Sequence, residues 1–355
     1  MKLRFKHQKF QANAVDAVVK LFDGQPRGNH KFLIDAGDDT ATIFDYEGWA
    51  NNVIRLTEDE LLHNLKEVQK KQGLLPAQKI EKLNGKPVFT VEMETGTGKT
   101  YTYIKTMYEL NAKYGWSKFI VVVPSIAIRE GVYKSFQITA DHFKDDYGKA
   151  CRFFIYNSAR LNELEQYSSD PNINVMIINT QAFNSRGEDA RRIDMKLDSF
   201  RSRKPIDVIA AVNPIVIIDE PQSVIGTDKS ANVTRESVKK FNPLYYINYS
   251  ATHRESFNMV YRLDAIDAYQ QRLVKKINVK GIVVKGTTAT NGYLYLQKIN
   301  TYPGKSPDAS ISFEYIGASG NIGKKVKNLS NGDNVYNHSG EIEAYQSLSR
   351  WLCHF

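Results

Sequence analysis

The sequence predicts an α/β protein with a mostly parallel, doubly wound sheet, followed by a small antiparallel β appendage. Short, continuous apolar runs recur through the first 270 residues, which is typical of strands covered by helices on both faces. A glycine-rich segment carrying a lysine and a threonine follows one extended stretch and precedes a helical one. After about Gly281, apolar and polar residues instead alternate between turn-forming pairs, which indicates antiparallel strands.

Length and composition set the limits of this prediction. A chain of 355 residues can hold two domains, or one large domain with an appendage. The net charge of +9 favours a polyanionic partner such as nucleic acid, although solvated lysines are common without one. Cys151 and Cys353 are too far apart to indicate a disulfide framework, and the seven histidines show no metal-ligand spacing. The apolar runs are too short to cross a bilayer, so we expect no membrane association and a cytoplasmic location.

The segment ahead of the glycine-rich loop predicts helices and an excursion. Apolar residues at helical spacing predict an amphipathic helix over Phe10–Phe22, with Gln11 just ahead of its stripe. Short strands are expected at Lys31–Ile34 and Thr40–Phe44. A capped helix is then expected from Thr57 to residue 72, and a polar link leads to the next strand.

The segment after the loop predicts alternating strands and helices. Helices are expected at Thr102–Tyr114 and Ile126–Phe136, and Gly187–Lys204 reads as a surface excursion. The expected strands are Lys118–Val123, Arg152–Tyr156, Asn174–Asn179, Pro214–Ile218 and Leu244–Asn248. The appendage is expected to contain strands at Tyr293–Tyr302 and Ile311–Ile316. We therefore expect a first domain over 1–270 with an excursion near 23–87, a β-rich appendage over 271–340, and the start of a helix over 341–355.

The glycine-rich segment Val91–Tyr101 predicts a phosphate-binding loop. Glycines at 96 and 98 let the backbone approach a phosphate closely, and Thr95 and Thr97 lie in the same loop. Lys99 supplies a positive charge, and the Thr100 hydroxyl is suited to Mg²⁺. Met93 stands where the fuller pattern has its first glycine. A lysine-bearing turn is the alternative, but residue types and flanking elements together favour an ATP site.

Asp219 and Glu220 follow an apolar run and supply the carboxylates that ATP hydrolysis needs. We assign Asp219 to the Mg²⁺ ion and Glu220 to the attacking water. Alone, such a pair would more often be a solvated strand end, and the phosphate loop is what favours the catalytic interpretation.

Three further polar groups lie at predicted strand ends. Ser250 and Thr252 follow the last strand and are candidates for coupling the nucleotide site to a nucleic-acid site. The candidates for contacts with a nucleic-acid backbone are Ser125, Arg129, Thr180 and Gln181. Ordinary helix and loop capping explains these residues equally well.

Taken in order, the motifs resemble the first half of a superfamily 2 helicase motor, and more narrowly the Res subunit of Type III restriction–modification enzymes. The narrower resemblance depends on five strings: Met93–Tyr101, Lys118–Gly131, Asp219–Gln222, Tyr249–His253 and Tyr261–Lys276. It implies a RecA-like fold, ATP and Mg²⁺ as cofactors, double-stranded DNA and a modification methyltransferase subunit as partners, and a nucleotide contact for Gln11. Alone, Gln11 would read as a solvent-facing residue at a helix start.

The resemblance also implies ATP-driven translocation or signalling on DNA, with a second RecA-like domain and a nuclease domain expected beyond these residues. Pro307-Asp308 and Glu314 approach the family's nuclease pattern, but Ile316 replaces its lysine. An arginine from the second domain would raise the rate of ATP hydrolysis by a factor of about 10³–10⁵, so we expect these residues alone to hydrolyse ATP slowly. Another superfamily 2 motor, from a Type I restriction or repair system, and a non-catalytic DNA- or partner-binding remnant are the alternatives.

Overall fold

A computed structural model describes most of the chain. The described residues are 5–34, 46–184, 192–200, 202–224, 229–253, 256–274, 292–302, 305–317, 319–330 and 332–350. The chain divides into two compact units, residues 1–276 and 277–355. Within the described ranges, no helix is both long enough and apolar enough to cross a membrane.

The first unit is built on an eight-stranded, mostly parallel sheet. Its strands are β3 (Lys82–Leu83), β4 (Lys86–Met93), β5 (Lys118–Val123), β6 (Arg152–Ile155), β7 (Asn174–Asn179), β8 (Ile215–Asp219), β9 (Tyr246–Ser250) and β10 (Met259–Leu263). The order across the sheet is β10-β4-β9-β8-β5-β7-β6, all parallel, and β3 pairs antiparallel with β4. A separate hairpin joins β1 (Asn29–Ile34) to β2 (Tyr46–Asn51).

Helices connect most of the parallel strands, because parallel pairing needs a long crossover. They are α1 (Lys9–Lys20), α2 (Glu58–Lys71), α3 (Lys99–Tyr114), α4 (Ile126–Tyr147), α5 (Leu161–Ser169), α6 (Gln181–Asn184), α7 (Pro205–Ala211), α8 (Pro221–Val224), α9 (Lys229–Lys239) and α10 (Ala265–Gln270), with 3₁₀ turns at Arg192–Asp194 and Asp198–Phe200. The helix expected from Thr57 is capped by a capping box: the Thr57 side chain accepts the Glu60 amide, and the Glu60 carboxylate accepts the Thr57 amide.

Both faces of the sheet are covered, which explains the continuous apolar runs. Along β5, Phe119, Val121 and Val123 pack into one core layer. Ile120 and Val122 point the other way and join the second layer. Every residue of β5 is buried, as the run Lys118–Val123 predicts. The predicted α/β fold with a helix-covered parallel sheet is therefore confirmed.

The neighbouring strands β4, β9 and β8 bring three predicted motifs to one edge of the sheet. The phosphate loop follows β4, Ser250 ends β9, and Asp219 ends β8. Because these strands are parallel, their carboxyl ends lie side by side. The edge formed by these ends holds the candidate site.

Some elements differ from the sequence-based expectations. The strand Met259–Leu263 was not predicted, although it pairs with β4 beside the phosphate loop. The polar link before β4 contains the short strand Lys82–Leu83. The strand expected at Thr40–Phe44 lies outside the described residues.

The second unit contains a three-stranded antiparallel sheet, which confirms the predicted β appendage. Its strands are β11 (Leu294–Tyr302), β12 (Lys305–Ile316) and β13 (Ile322–Ser330). One face packs Ile311 and Phe313 against Tyr345, which follows the short helix α11 (Val335–His338). Instead of the α-helix expected from Glu341, a 3₁₀ helix extends over Glu343–Arg350. The Tyr345 hydroxyl donates to the Tyr293 carbonyl at 2.6 Å and anchors this segment to the unit.

Candidate nucleotide-binding site

The phosphate loop has a fixed backbone conformation. Gly96 and Gly98 have φ of +82° and +88°, a region that favours glycine. The Thr97 hydroxyl donates to the Glu94 carbonyl at 2.6 Å, and the Thr95 amide donates to the Glu94 carboxylate at 2.7 Å. Gly98 is also the N-cap of the 16-residue helix α3. The positive end of this helix therefore lies at the loop, as anion binding requires.

Gln11 contacts the loop directly. Its side chain is buried, and Nε2 donates to the Thr97 carbonyl at 2.9 Å. A Cβ at position 98 would lie 2.5 Å from the same Nε2. The interpretation of Gln11 as solvent-facing is therefore wrong: its side chain supports the loop from the first turn of α1. The spacing of the apolar stripe did not reveal this contact, because Gln11 lies 86 residues from Thr97.

A polar chain joins the loop to the two neighbouring strands. The Lys99 ammonium lies 3.0 Å from Glu220 Oε1. The other carboxylate oxygen of Glu220 accepts the Ser250 hydroxyl at 2.6 Å and the Gln222 amide at 2.6 Å. The Ser250 oxygen also accepts the Thr252 amide at 3.2 Å. Residues predicted for phosphate binding, water activation and coupling therefore form one connected network.

Glu220 is held in an unusual backbone conformation. Its φ is +55°, which costs a non-glycine residue about 1–2 kcal/mol. Its amide donates to the Tyr249 carbonyl at 2.9 Å, which fixes this turn to β9. Partial burial raises the pKa of Glu220, but hydrogen bonds from Ser250 and Lys99 outweigh that effect and leave the pKa below its ordinary value. Glu220 is therefore an anion at neutral pH.

Asp219 has the opposite electrostatics. Its side chain is buried, and the Tyr103 hydroxyl donates to Oδ2 at 3.4 Å. Burial first, and then the adjacent Glu220 carboxylate, raise the pKa of Asp219 to about 6. Lys99 opposes this shift without cancelling it. Asp219 thus needs a further cation to remain charged at low energetic cost.

The residues fit the Mg²⁺ and nucleotide that the motifs imply. The Tyr103 hydroxyl hydrogen-bonds to Asp219, and Tyr103 shares a face of α3 with Thr100, three residues earlier. A cation there would offset the cost of burying Asp219 beside Glu220. A Cβ on Gly96 would meet no atom within 4 Å, so open space lies beside the loop. Oxygen ligands, a lysine and a helix N-terminus are together the groups that bind a nucleotide with Mg²⁺.

Sequence reasoning missed three residues at this site. Tyr103 lies three residues after Thr100, on the same face of α3, and that spacing was the available signal. Gln222 was noted only as part of a string. His253 Nε2 lies 3.2 Å from the Val91 carbonyl, and its buried Nδ1 has no partner among the described residues. Burial lowers the pKa of His253, so its ring is neutral at neutral pH.

The candidate DNA-contacting residues lie beyond β5 and β7. Arg129 and Gln181 line one open cleft of about 540 Å³, together with Arg160. The Arg129 guanidinium donates to Asn179 Oδ1 at 3.1 Å and to Glu130 at 2.8 Å. Arg160 was not singled out from the sequence, because an isolated arginine before a helix carries no motif.

Ser125 and Thr180 are both hydrogen-bonded within the first unit. Ser125 Oγ accepts the Ile128 amide at 3.3 Å and caps α4. The Thr180 hydroxyl donates to the Pro124 carbonyl at 3.3 Å. Ser125 thus acts as a helix cap, Thr180 links the end of β7 to the end of β5, and their contacts with DNA stay a prediction.

A phosphate loop with its lysine and a facing Asp-Glu pair, at the carboxyl edge of a parallel sheet, define an ATP-binding α/β fold. Residues 4–255 match the family described as "Type III restriction enzyme, res subunit". The chain therefore belongs to this family.

Curated relatives support the same assignment. The chain is 36% identical over 247 residues to the Type III restriction-modification enzyme EcoP15I Res subunit of Escherichia coli, covering 64% of this chain and 25% of the relative. It is 35% identical over 249 residues to the EcoPI Res subunit of Escherichia phage P1, with the same coverage. The StyLTI Res subunit of Salmonella typhimurium is 30% identical over 250 residues, covering 60% and 24%. The chain thus spans about a quarter of the length of these relatives.

Solved structures give weaker similarities. The Sulfolobus solfataricus SWI2/SNF2 ATPase core in complex with dsDNA has a TM-score of 0.32 and 14% identity, covering 57% of this chain and 33% of its own. The DUF1998 helicase MrfA bound to DNA has a TM-score of 0.34 and 15% identity, covering 72% and 34%. TM-scores this low support no conclusion about function.

Proposed function

We propose that this chain is the ATP-binding part of a DNA-translocating motor of the Type III restriction type, which couples ATP hydrolysis to movement or signalling on double-stranded DNA. The observation that carries the proposal is the series of polar contacts from Lys99 through Glu220 to Ser250. It links the phosphate loop, a carboxylate at the end of β8 and a hydroxyl at the end of β9. The family's partner, a modification methyltransferase subunit, belongs to the same proposal.

Each residue has a defined task in this proposal. Gly96, Gly98 and the start of α3 surround the phosphates with backbone amides, and Lys99 adds its charge. Thr100 and Asp219 hold Mg²⁺, which when bound supplies positive charge to the phosphate oxygens. Glu220 orients the attacking water and accepts its proton, a task that its lowered pKa suits because the carboxylate is ionised.

Lys99 has two possible partners in this proposal. Its ammonium lies 3.0 Å from Glu220 Oε1, and the phosphate oxygens of a bound nucleotide would compete for the same positive charge. Nucleotide binding would then leave Glu220 free to orient the attacking water.

Ser250 offers a route from this event to the DNA. Its oxygen lies 2.6 Å from Glu220 Oε2, 3.1 Å from Gln222 Oε1 and 2.8 Å from the Thr252 carbonyl. One hydroxyl proton satisfies one acceptor best, so a shift of Glu220 changes the bond that Ser250 makes. The change of hydrogen bond at Ser250 then moves the segment after β9, and this movement couples the position of Glu220 to the DNA-binding surface.

The test is ATP turnover with and without duplex DNA, measured with enzyme in excess so that slow hydrolysis is recorded. Glu220→Gln should lower turnover about 10²–10⁴-fold while nucleotide still binds, because the proton acceptor is lost. The exposed Glu236→Gln on α9 is the matched control. Arg129→Ala should reduce stimulation by DNA without changing basal turnover.

Two results would contradict the proposal. Turnover in Glu220→Gln equal to that of the control would remove the carboxylate from catalysis. A chain that binds ATP but shows neither DNA binding nor DNA stimulation would favour the non-catalytic or partner-binding alternative.

A further inference from the structure

A second group of ligating side chains lies on the first unit, apart from the Lys99–Glu220 network. His7 precedes α1, and His142 and Asp146 lie one turn apart on α4. One ligand atom from each residue lies within 4.8 Å of the other two. His142 Nε2 is 3.5 Å from Asp146 Oδ2, and His7 Nε2 is 3.7 Å from the same oxygen. Three donors from two distant chain segments therefore converge on one point.

We propose that His7, His142 and Asp146 bind one divalent transition-metal ion, of which Zn²⁺ is the best fit. Imidazole nitrogens favour Zn²⁺, Co²⁺ or Ni²⁺ over Mg²⁺, so this ion differs from the one proposed at Asp219. Tetrahedral zinc with ligand distances of about 2.0–2.2 Å separates its donors by roughly 3.3–3.5 Å. The two distances to Asp146 Oδ2 are at or slightly above this range, and the separation of the two histidine donors, within 4.8 Å, would contract on metal binding.

The exposure of the three residues suits an ion that keeps one water ligand. The His142 side chain is 11% exposed, whereas those of His7 and Asp146 are 60% and 28% exposed. His142 and Asp146 share a helix face because they are four residues apart. Two ligands of the site are therefore fixed on α4, and the third, His7, lies on the side that is open to solvent.

The spacing of the two rings favours a metal ion over a simple ion pair. A neutral imidazole has a lone pair available for a metal. The competing explanation, a simple ion pair with protonated histidines, requires two adjacent positive rings with centroids 5.4 Å apart.

The ion would fasten the N-terminal segment to the nucleotide-binding core. Phe5 stacks on Tyr101, with centroids 5.9 Å apart, and contacts the His142 ring at 5.2 Å. Tyr101 directly follows Thr100 of the phosphate loop. The same segment leads into α1, which carries Gln11 and its bond to the loop. Metal binding at His7 would therefore stabilise the segment that leads into this contact.

One hydrogen bond competes with the ion and sharpens the test. The Tyr101 hydroxyl lies 2.8 Å from His142 Nε2, the atom that would bind the metal. In the neutral tautomer with its proton on Nδ1, His142 accepts the Tyr101 hydroxyl at the lone pair that the metal needs. Tyr101→Phe should therefore bind the ion as tightly as the parent chain, or more tightly.

The experiment is a titration with Co²⁺, followed by its visible absorption, and with Zn²⁺, followed by thermal unfolding, on the full chain without nucleotide or Mg²⁺. One ion per chain is expected, with an intense tetrahedral Co²⁺ spectrum. His7→Ala and Asp146→Asn should each weaken binding at least tenfold and abolish the stabilisation by Zn²⁺. His63→Ala, at an exposed histidine on α2, is the matched control. Circular dichroism confirms that each variant is folded.

The proposed metal site would be contradicted if His7→Ala and Asp146→Asn bound Co²⁺ and Zn²⁺ as tightly as the parent chain. Loss of metal binding in Tyr101→Phe would also contradict it. The readout is independent of ATP, so the proposed function and this site can fail separately.

Discussion

At the scale of single residues, Glu220 is the most constrained group of the site. It combines a positive φ with an ion pair to Lys99 and hydrogen bonds from Ser250 and Gln222. A strained backbone held by several partners is characteristic of functional positions. Its neighbour Asp219 is constrained by burial instead, so two adjacent carboxylates have pKa values shifted in opposite directions. This division suits one carboxylate to bind a metal ion and the other to accept a proton.

Ser250→Ala should shift the acid limb of the pH dependence of ATP turnover to higher pH. The Ser250 hydroxyl is the largest contribution that lowers the pKa of Glu220 against burial, so its loss raises that pKa. A smaller fraction of Glu220 is then ionised at a given acidic pH. Turnover measured across the acidic range tests this shift, with Thr252→Ala, at an exposed side chain, as control. Identical acid limbs in both variants and the parent would refute the role of Ser250.

Asp219→Asn should increase the free energy of unfolding at neutral pH in the absence of Mg²⁺. The pKa of Asp219 is raised from 3.8 to about 6, so the folded state holds its proton more tightly than the unfolded state. As the pH rises from 3.8 to about 6, the free energy of unfolding of the parent chain therefore falls by about 1–3 kcal/mol in total. The asparagine removes this loss, and the gain should vanish below about pH 4.

Denaturant unfolding followed by the fluorescence of the buried Trp116 measures the effect. Asp141→Asn on α4, an exposed site, should show no such gain. A variant less stable than the parent at neutral pH would mean that Asp219 is not destabilised by burial.

At the scale of elements, the site results from the order of strands. β9 lies between β4 and β8, so Ser250 lies between the phosphate loop and Glu220. The helix α3 then directs Tyr103 toward Asp219. The predicted roles of Lys99 and Glu220 depended on residue type and local context. Their ion pair could not be predicted, because 120 residues separate them and only strand order brings them together.

Gly98→Ala should weaken nucleotide binding at least tenfold. An alanine at φ of +88° is strained, and its Cβ would lie 2.5 Å from Gln11 Nε2. Gln11 would have to leave the Thr97 carbonyl, so the loop would lose its support from α1. Nucleotide titration measures the loss.

Gly131→Ala on α4 is the matched control, because a Cβ there meets no atom within 4 Å. This control should gain about 0.5–1 kcal/mol in stability and bind nucleotide normally. Equal affinity in the two variants would contradict the close fit between the loop and α1.

The sequence predicted buried strands better than exposed or short ones. Lys118–Val123 was predicted with its observed boundaries, since all six residues are buried. Met259–Leu263 was missed because exposed Arg262 interrupts its apolar pattern, and its pairing partner β4 is far away in the chain. The histidines looked scattered for the same reason: His7 and His142 meet only through folding.

At the scale of the whole molecule, the chain combines a basic net charge with a nucleotide site at one edge of its sheet. The charge of +9 agrees with a nucleic-acid partner, and Arg129 and Arg160 line a cleft beyond β5 and β7. Each unit has its own core. The chain spans about a quarter of the length of its curated relatives. We propose nucleotide binding as the central property of the first unit.

Calorimetric titration of the chain with ATP and Mg²⁺ tests this claim most directly, with Lys99→Ala and Lys105→Ala in parallel. Both lysines are on α3, but only Lys99 lies at the loop. We expect one nucleotide per chain for the parent and Lys105→Ala, and at least about tenfold weaker binding for Lys99→Ala, since a charge-assisted hydrogen bond contributes about 1.5–3 kcal/mol. No binding by the parent, or equal affinities in all three proteins, would contradict the account.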